Sequence, residues 1–304
     1  MAILIDGIAK SFGRRKVLDN ISFEIRNGEV VGYVGLNGAG KTTTIRIAVG
    51  VLPPDAGDVL IDGHSVVREK REASRLVGWV PEAPIFDMDA RALDYFVYLA
   101  GYYGIPANEA RRMGMELLEE LGLGDSLNLK LGTYSQGMRK RFALAVSMIN
   151  DPPNFIFDEV LNGLDPAGIA FFRDLALKFK RQGKAVLFSS HILSEVEALA
   201  DRVVFIHRGR IVGMYSMEEI VRSAGSALMI RVSPLDDRAR DLLSKYGEVS
   251  EEAGYLKLRA EPARGSEAVA ELARSGYTIV EVKRESESLE RFFFDLIRKE
   301  GEKP

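Results

Sequence analysis

Cysteine is absent from this chain of 304 residues. That excludes a disulfide framework and any thiolate-ligated zinc or iron–sulfur centre. An excess of either charge is missing too. Lys and Arg number 41 against 44 Asp and Glu, so no basic field marks a nucleic-acid partner. Glutamine occurs only as Gln136 and Gln182, a composition that leans towards heat-adapted proteins. Long hydrophobic runs are lacking as well. A membrane-spanning helix needs about 20 apolar residues, whereas the best stretch, Tyr95 to Ile105, stops at eleven and holds four tyrosines. The opening MAILIDGIAKSFGRR has no charged start, apolar stretch of signal length or small-residue cleavage site. The expectation is a soluble, cytoplasmic chain whose membrane role, if it has one, comes through a partner.

What is present is enough to build a core, since 46% of the residues are hydrophobic. The length favours two domains, or one large α/β unit with an appendage. Strand-like stretches run from Ile3 to Phe12 and Lys16 to Ile25. Short apolar strands follow at Val30–Gly35, Val59–Ile61, Val77–Val80, Phe155–Phe157, Ala185–Ser189 and Val203–Ile206. Helical patterns between many of them argue for an α/β core with a largely parallel sheet. Between Arg91 and Asn150 only helical periodicity is found, over Arg91–Tyr103, Asn108–Leu121 and Gln136–Ile149. After Ile220 the order becomes strand Ala227–Val232, helix Asp236–Tyr246, strands Glu248–Glu252 and Tyr255–Leu258, helix Ser266–Arg274 and strand Tyr277–Lys283. This is the split βαβ, ferredoxin-like plan, and a last helix covers Leu289–Lys299.

Gly35-Leu36-Asn37-Gly38-Ala39-Gly40-Lys41-Thr42 fits the phosphate-loop pattern G-x-x-x-x-G-K-[ST]. Glycines let main-chain N–H groups converge on phosphates, and the helix that follows carries about half a positive charge at its start. Lys41 would reach the β- and γ-phosphates, Thr42 would ligate magnesium, and Thr43 lies beside them. A buried strand ending in Asp158 and Glu159 supplies two carboxylates; strand alternation would aim them differently, one at the metal shell and one at a water. Ser135, in Tyr134-Ser135-Gln136-Gly137-Met138, reads as a helix N-cap. His191 follows an apolar strand, at the end where α/β sheets bind ligands, while His64 and His207 read as structural. Phe12 could stack on a base, against the plain alternative of a strand-end hydrophobe.

Together these residues, in this order, resemble the ATP-binding subunits of ABC transporters over about Ala2 to Arg222. The resemblance rests on Phe12, the Walker A loop (Gly35–Thr42), Glu82 at the Q-loop position and the signature YSQGM (134–138). It continues through Walker B (155–159), the D-loop NGLD (162–165) and the switch histidine His191. It implies a P-loop NTPase (RecA-like) α/β core with an N-terminal antiparallel β subdomain and an inserted helical subdomain at about 83–150. Residues 1–222 would form the ATPase domain and residues 223–304 a small α+β accessory domain, ferredoxin-like. It further implies ATP and Mg2+ as ligands and a head-to-tail homodimer in which Lys41 and Thr42 of one chain face Ser135, Gln136 and Gly137 of the other. By the same resemblance Glu159 is the general base, Asp158 and Glu82 support the metal with Thr42, His191 orients the attacking water, and Asp165 links the two sites.

Four positions depart from the family pattern: Glu82 for Gln, YSQGM for LSGGQ, Asn154 for the first Walker B hydrophobe, and Val160-Leu161 for Pro-Thr. Glu82 and the YSxGM form are similar to the subgroup serving ABC-2-type exporters, including drug-resistance and sodium-efflux systems. A separate transmembrane permease is then the expected partner, with no direct nucleic acid and with the chain peripheral on the inner face of the membrane. A groove beside the helical block, near Glu82 to Asp89, would receive it, with Phe86, Tyr95, Phe96, Tyr98, Tyr102 and Tyr103 as candidate lining. Two other readings compete: a soluble ABC ATPase acting on nucleic acid or ribosomes, and a non-catalytic binding module. The single Walker A and the short, cysteine-free helical block weigh against the first, and Glu159 with His191 against the second.

Overall fold

The computed structural model describes residues 2–223, 227–260, 262–285 and 289–301. It begins with a long hairpin, β1 (Ile3–Phe12) and β2 (Arg15–Ile25), followed by β3 (Val30–Val34), α1 (Lys41–Ala48), β4 (Ala56–Ile61) and β5 (His64–Ser65). Next come α2 (Lys70–Arg75), β6 (Val77–Val80), α3 (Ala92–Gly101), α4 (Ala107–Glu120) and α5 (Gln136–Ser147). The chain continues through β7 (Asn154–Phe157), α6 (Pro166–Arg181), β8 (Ala185–Ser190), α7 (Leu193–Leu199), β9 (Arg202–His207), β10 (Arg210–Ser216) and α8 (Met217–Ser223). Two compact units divide the chain, Met1–Met214 and Tyr215–Pro304. The division falls within β10, whereas the sequence reading places its boundary after residue 222, in α8.

In the first unit two sheets arise from two kinds of pattern. In β1 Ile3, Ile5 and Ile8 are wholly buried, with the more open Leu4, Asp6 and Gly7 between them, as a half-covered antiparallel sheet requires. That sheet has the order β2-β1-β4-β5. By contrast, every residue of β3, β7 and β8 is buried, the mark of strands covered on both faces. They belong to a six-stranded sheet, β10-β9-β3-β8-β7-β6, whose pairings from β9 to β6 are parallel. One apolar cluster joins the two sheets, with Ile3, Ile5, Ile21 and Ile25 packed with Tyr33, Ile45, Ile156 and Leu187. Because β3, β7 and β8 run in parallel, their carboxyl ends meet at one edge, where α/β sheets bind ligands.

Asn154 explains itself in this setting. Although it replaces a hydrophobe, it is wholly buried, and its Nδ2 donates to Asp62 Oδ2 (2.7 Å) and Leu76 O (2.9 Å). It ties the start of β7 to the turn after β4 and to the residue preceding β6.

The helical segment holds α3, α4 and α5, as its periodicity predicts, with one addition, an isolated bridge between Arg91 and Lys130. Phe96 departs from the expected groove lining. It is completely buried against α4, where a Cβ at Gly114 would come within 2.7 Å of its ring. Its position on the inward side of α3 makes it core.

The second unit contains β11 (Ala227–Ser233), α9 (Asp237–Ser244), β12 (Glu248–Glu252), β13 (Tyr255–Arg259), α10 (Pro262–Arg274), β14 (Thr278–Glu285) and α11 (Leu289–Gly301). Its strands form an antiparallel sheet ordered β12-β13-β11-β14, the ferredoxin-like arrangement. Ile230, Val232, Leu256 and Leu258 of the sheet pack with Leu243 of α9 and Leu272 of α10. Asp236 caps α9 rather than beginning it, its Oδ1 accepting from Ala239 N. Among the described residues no helix is long and apolar enough to cross a membrane.

Candidate functional site

The loop from Gly35 to Gly40 leaves β3 at the centre of the parallel sheet. Gly35 must be glycine, because a Cβ there would stand 2.5 Å from Ile206 O. Gly40 has φ 116° and is the N-cap of α1, where it offers no side-chain acceptor to the first turn. The N–H groups that open a helix are unpaired within it, so a ligand can take them. Lys41 is buried beneath the loop, and its Nζ donates to Gly35 O at 2.7 Å and lies 3.1 Å from Glu159 Oε1. Thr42 Oγ1 donates to Asp158 Oδ1 at 3.3 Å.

 

Glu159 leaves the strand with φ 47°, a left-handed conformation, and this turn is what sends the two carboxylates to different partners. Asp158, only 1% exposed, accepts from Thr42 and from Ser189 Oγ (2.8 Å). Burial pushes its carboxyl above the usual range, and the nearby Glu82 and Glu159 charges add to the rise. Glu159 faces the other way. Its Oε2 accepts from His191 Nδ1 (2.9 Å) and Asn162 Nδ2 (3.3 Å), and its main-chain N–H donates to Ser189 Oγ (2.9 Å).

These groups surround a cavity of about 450 Å³, lined among others by Phe12, Asn37, Gly38, Gly40, Lys41, Thr42, Thr43, Glu82, Glu159 and His191. Phe12 stands at its rim, half exposed. Other expected residues lie elsewhere. Gly35 and Ala39 are buried under the loop, and Leu36 is exposed. Ser135, Gln136 and Gly137 do not line the cavity; they open α5, where Ser135 Oγ accepts from Met138 N (3.2 Å). Asp165 is also outside it and caps α6, its Oδ1 accepting from Gly168 N (2.9 Å).

Several residues at the site escape sequence reasoning. Arg15 and Val17 of β2 line the cavity beside Phe12; Asn162, already part of the D-loop motif but given no role there, lines it beside Glu159. Ser189 bridges the two acids from β8. Lys140 of α5 is 2% exposed, and burial pushes its ammonium down to about 8, against the pull of Glu82, Glu159 and Asp158. The serine had a signal, a hydroxyl two residues before His191. The others become neighbours only through the fold.

A second cavity, of about 390 Å³, lies beside the helical segment. Arg71, Ser74, Arg75, Leu99, Tyr102, Tyr103 and Val146 line it. Tyr98 and Tyr102 are exposed, their hydroxyls 2.6 Å apart, while Phe86 and Tyr95 pack in a ring cluster with Phe142.

Comparison with known proteins agrees with this geometry. The family described as ABC transporter matches residues 18–162. The chain is 35% identical over 301 residues to the uncharacterized ABC transporter ATP-binding protein YhcH of Bacillus subtilis, covering 96% of this chain and 94% of that protein. It is 33% identical over 254 residues to the Nod factor export ATP-binding protein I of Paraburkholderia xenovorans, covering 83% and 84%. A solved ATP-binding subunit of an ABC transporter superposes with a TM-score of 0.68 at 28% identity, covering 73% of this chain and 93% of that one. The chain belongs to the ABC transporter ATP-binding protein family, and it is an ATP-hydrolysing subunit of a membrane transporter.

Proposed function

We propose that this chain powers an exporter by closing on ATP as a head-to-tail homodimer and reopening after hydrolysis. The observation that carries the reading is the division of the expected site. Lys41, Thr42, Glu159 and His191 surround one cavity, whereas Ser135 and Gly137 lie outside it, at the start of α5. A second copy would bring its own α5 to that cavity. The export direction is supported by the similarity to a Nod factor export protein.

The phosphates would lie on the Gly35–Gly40 loop and the first turn of α1, where main-chain donors and Lys41 meet negative charge. Phosphate oxygens then compete with Glu159 for Lys41, which releases the Glu159 carboxylate to take a proton from a water. His191, already bonded to Glu159 Oε2, would orient that water, and Phe12 would stack on the base. Arg15 and Val17 would meet the nucleoside beside it. Asp165 would join the two sites through the start of α6.

Magnesium fits the residues present. Thr42 and Asp158 offer hard oxygen donors side by side, and Asp158 is a buried acid without a cationic partner among its bonds. Those two residues would hold the ion together with the nucleotide, and Glu82 would reach it from the cavity wall. Bound there, the ion would neutralise phosphate charge.

A separate permease would dock on the helical segment at the cavity where Tyr102 and Tyr103 meet Arg71, Arg75 and Leu99, and the chain would then lie at the cytoplasmic face of the membrane. That cavity holds none of the residues from Glu82 to Asp89 expected to border it. Residues 223–304 would form an accessory domain. The reading is tested by ATP binding to the Lys41→Ala variant, which should lose it; unchanged affinity would overturn the phosphate-loop assignment.

A further inference from the structure

Lys140 is a buried lysine that the steps above do not use. A lysine is fully buried only where its charge and donors are satisfied. Its three N–H groups are all spent on one turn. Nζ donates to Glu159 O and Val160 O, each at 3.0 Å, and to Asn162 O. That turn carries Glu159 in a left-handed conformation, which is unfavourable for a residue with a Cβ. Three carbonyls converging on one ammonium hold it there. Asn162, within the same turn, also donates to the Glu159 carboxylate.

A second contact joins the same two elements. Gln136, the first residue of α5, lies on Gly163, where a Cβ would come within 2.7 Å of the Gln136 amide. The start of α5 is therefore fastened to residues 159–163 at two places. Resting on the dimer proposed above, this start faces the partner's nucleotide, while Glu159 serves the nucleotide on its own chain.

We propose that Lys140 is a positioning residue for hydrolysis, a strut that makes the start of α5 and the Glu159–Asn162 turn move as one body. Seating Ser135 on the partner's nucleotide then aligns Glu159 on its own, so the two sites fire together. An apolar residue could fill the same space but would take a donor from three carbonyls, of which Glu159 O alone keeps a main-chain partner, Asn162 N at 3.1 Å, and would leave the turn freer to relax.

The test compares Lys140→Gln and Lys140→Met with the wild-type chain in steady-state ATP turnover, equilibrium ATP binding and thermal unfolding. The expected result is a kcat at least about tenfold lower, ATP affinity within about twofold, and a Hill coefficient reduced to about 1. A kcat within about twofold of wild type overturns the proposal. So does a kcat that falls only in step with nucleotide affinity and melting temperature, the pattern of a merely structural lysine. Should neither variant fold, Lys140→Arg decides: its planar guanidinium keeps the charge but cannot set three donors on the same converging carbonyls, so kcat should fall by more than about twofold with ATP affinity level, and an unchanged kcat overturns the proposal. A wild-type chain that neither hydrolyses ATP nor dimerises with it would instead fail the reading of the site itself, and the two failures are thereby told apart.

Discussion

Replacing Glu159 by Gln changes one oxygen for one NH2 in a buried side chain, and the structure says what that removes. The amide keeps the size of the carboxylate, so the cavity wall stays filled. It loses the ion pair to Lys41 at 3.1 Å and turns a donor towards groups that now donate to it. Lys41 retains Gly35 O and becomes free for phosphate, so ATP should bind at least as well as in the wild type. The base, however, is gone. A positioned general base contributes roughly 10²–10⁴ in rate, which corresponds to about 3–5 kcal/mol of barrier at 1.36 kcal/mol per tenfold. Phosphate release under saturating ATP measures the loss, and size-exclusion chromatography with ATP should show a persistent dimer. Turnover within about threefold of wild type would refute the assignment of Glu159 as the base.

Two further outcomes follow from the fold. Asn154→Ala leaves Asp62 Oδ2 and Leu76 O without their donor, a loss of about 1–3 kcal/mol; calorimetry should show a midpoint several degrees lower, and an unchanged midpoint would contradict the role given to this side chain. A chain ending at Ser223 keeps β10 whole and should fold and bind ATP; aggregation of that chain would place the unit boundary elsewhere.

Much of the site was legible because its chemistry is local. The glycine spacing before Lys41 encodes the loop, the apolar run before Asp158 encodes a covered strand, and Ser135 caps its helix as its sequence reads, whereas the cap made by Asp165 is seen only in the structure. What could not be read depends on contacts between distant segments. Lys140 sits in Met-Arg-Lys-Arg, a stretch that looks solvated until α5 is laid against the turn after β7. Phe96 shares a run with exposed tyrosines, and only the packing of α4 shows which side of α3 faces inward. The two acids after β7 were expected to part by strand alternation; the left-handed turn at Glu159 does it instead, and no residue type announced that conformation.

The central claim is that neither half-site works alone, and mixing two inactive variants tests it most directly. Lys41→Ala disables the phosphate loop. Gly137→Asp places a carboxylate at the start of α5, where the structure has room for a side chain, the nearest atom to a Cβ being Ser135 Oγ at 4.0 Å. Each variant alone should be inactive. In an equal mixture half the dimers are mixed, and each of these has one intact composite site, so ATP turnover should rise above that of either variant alone, to at most about a quarter of wild type, and below that to the extent that the two sites fire together. Turnover that stays at the level of the separate variants would contradict the account.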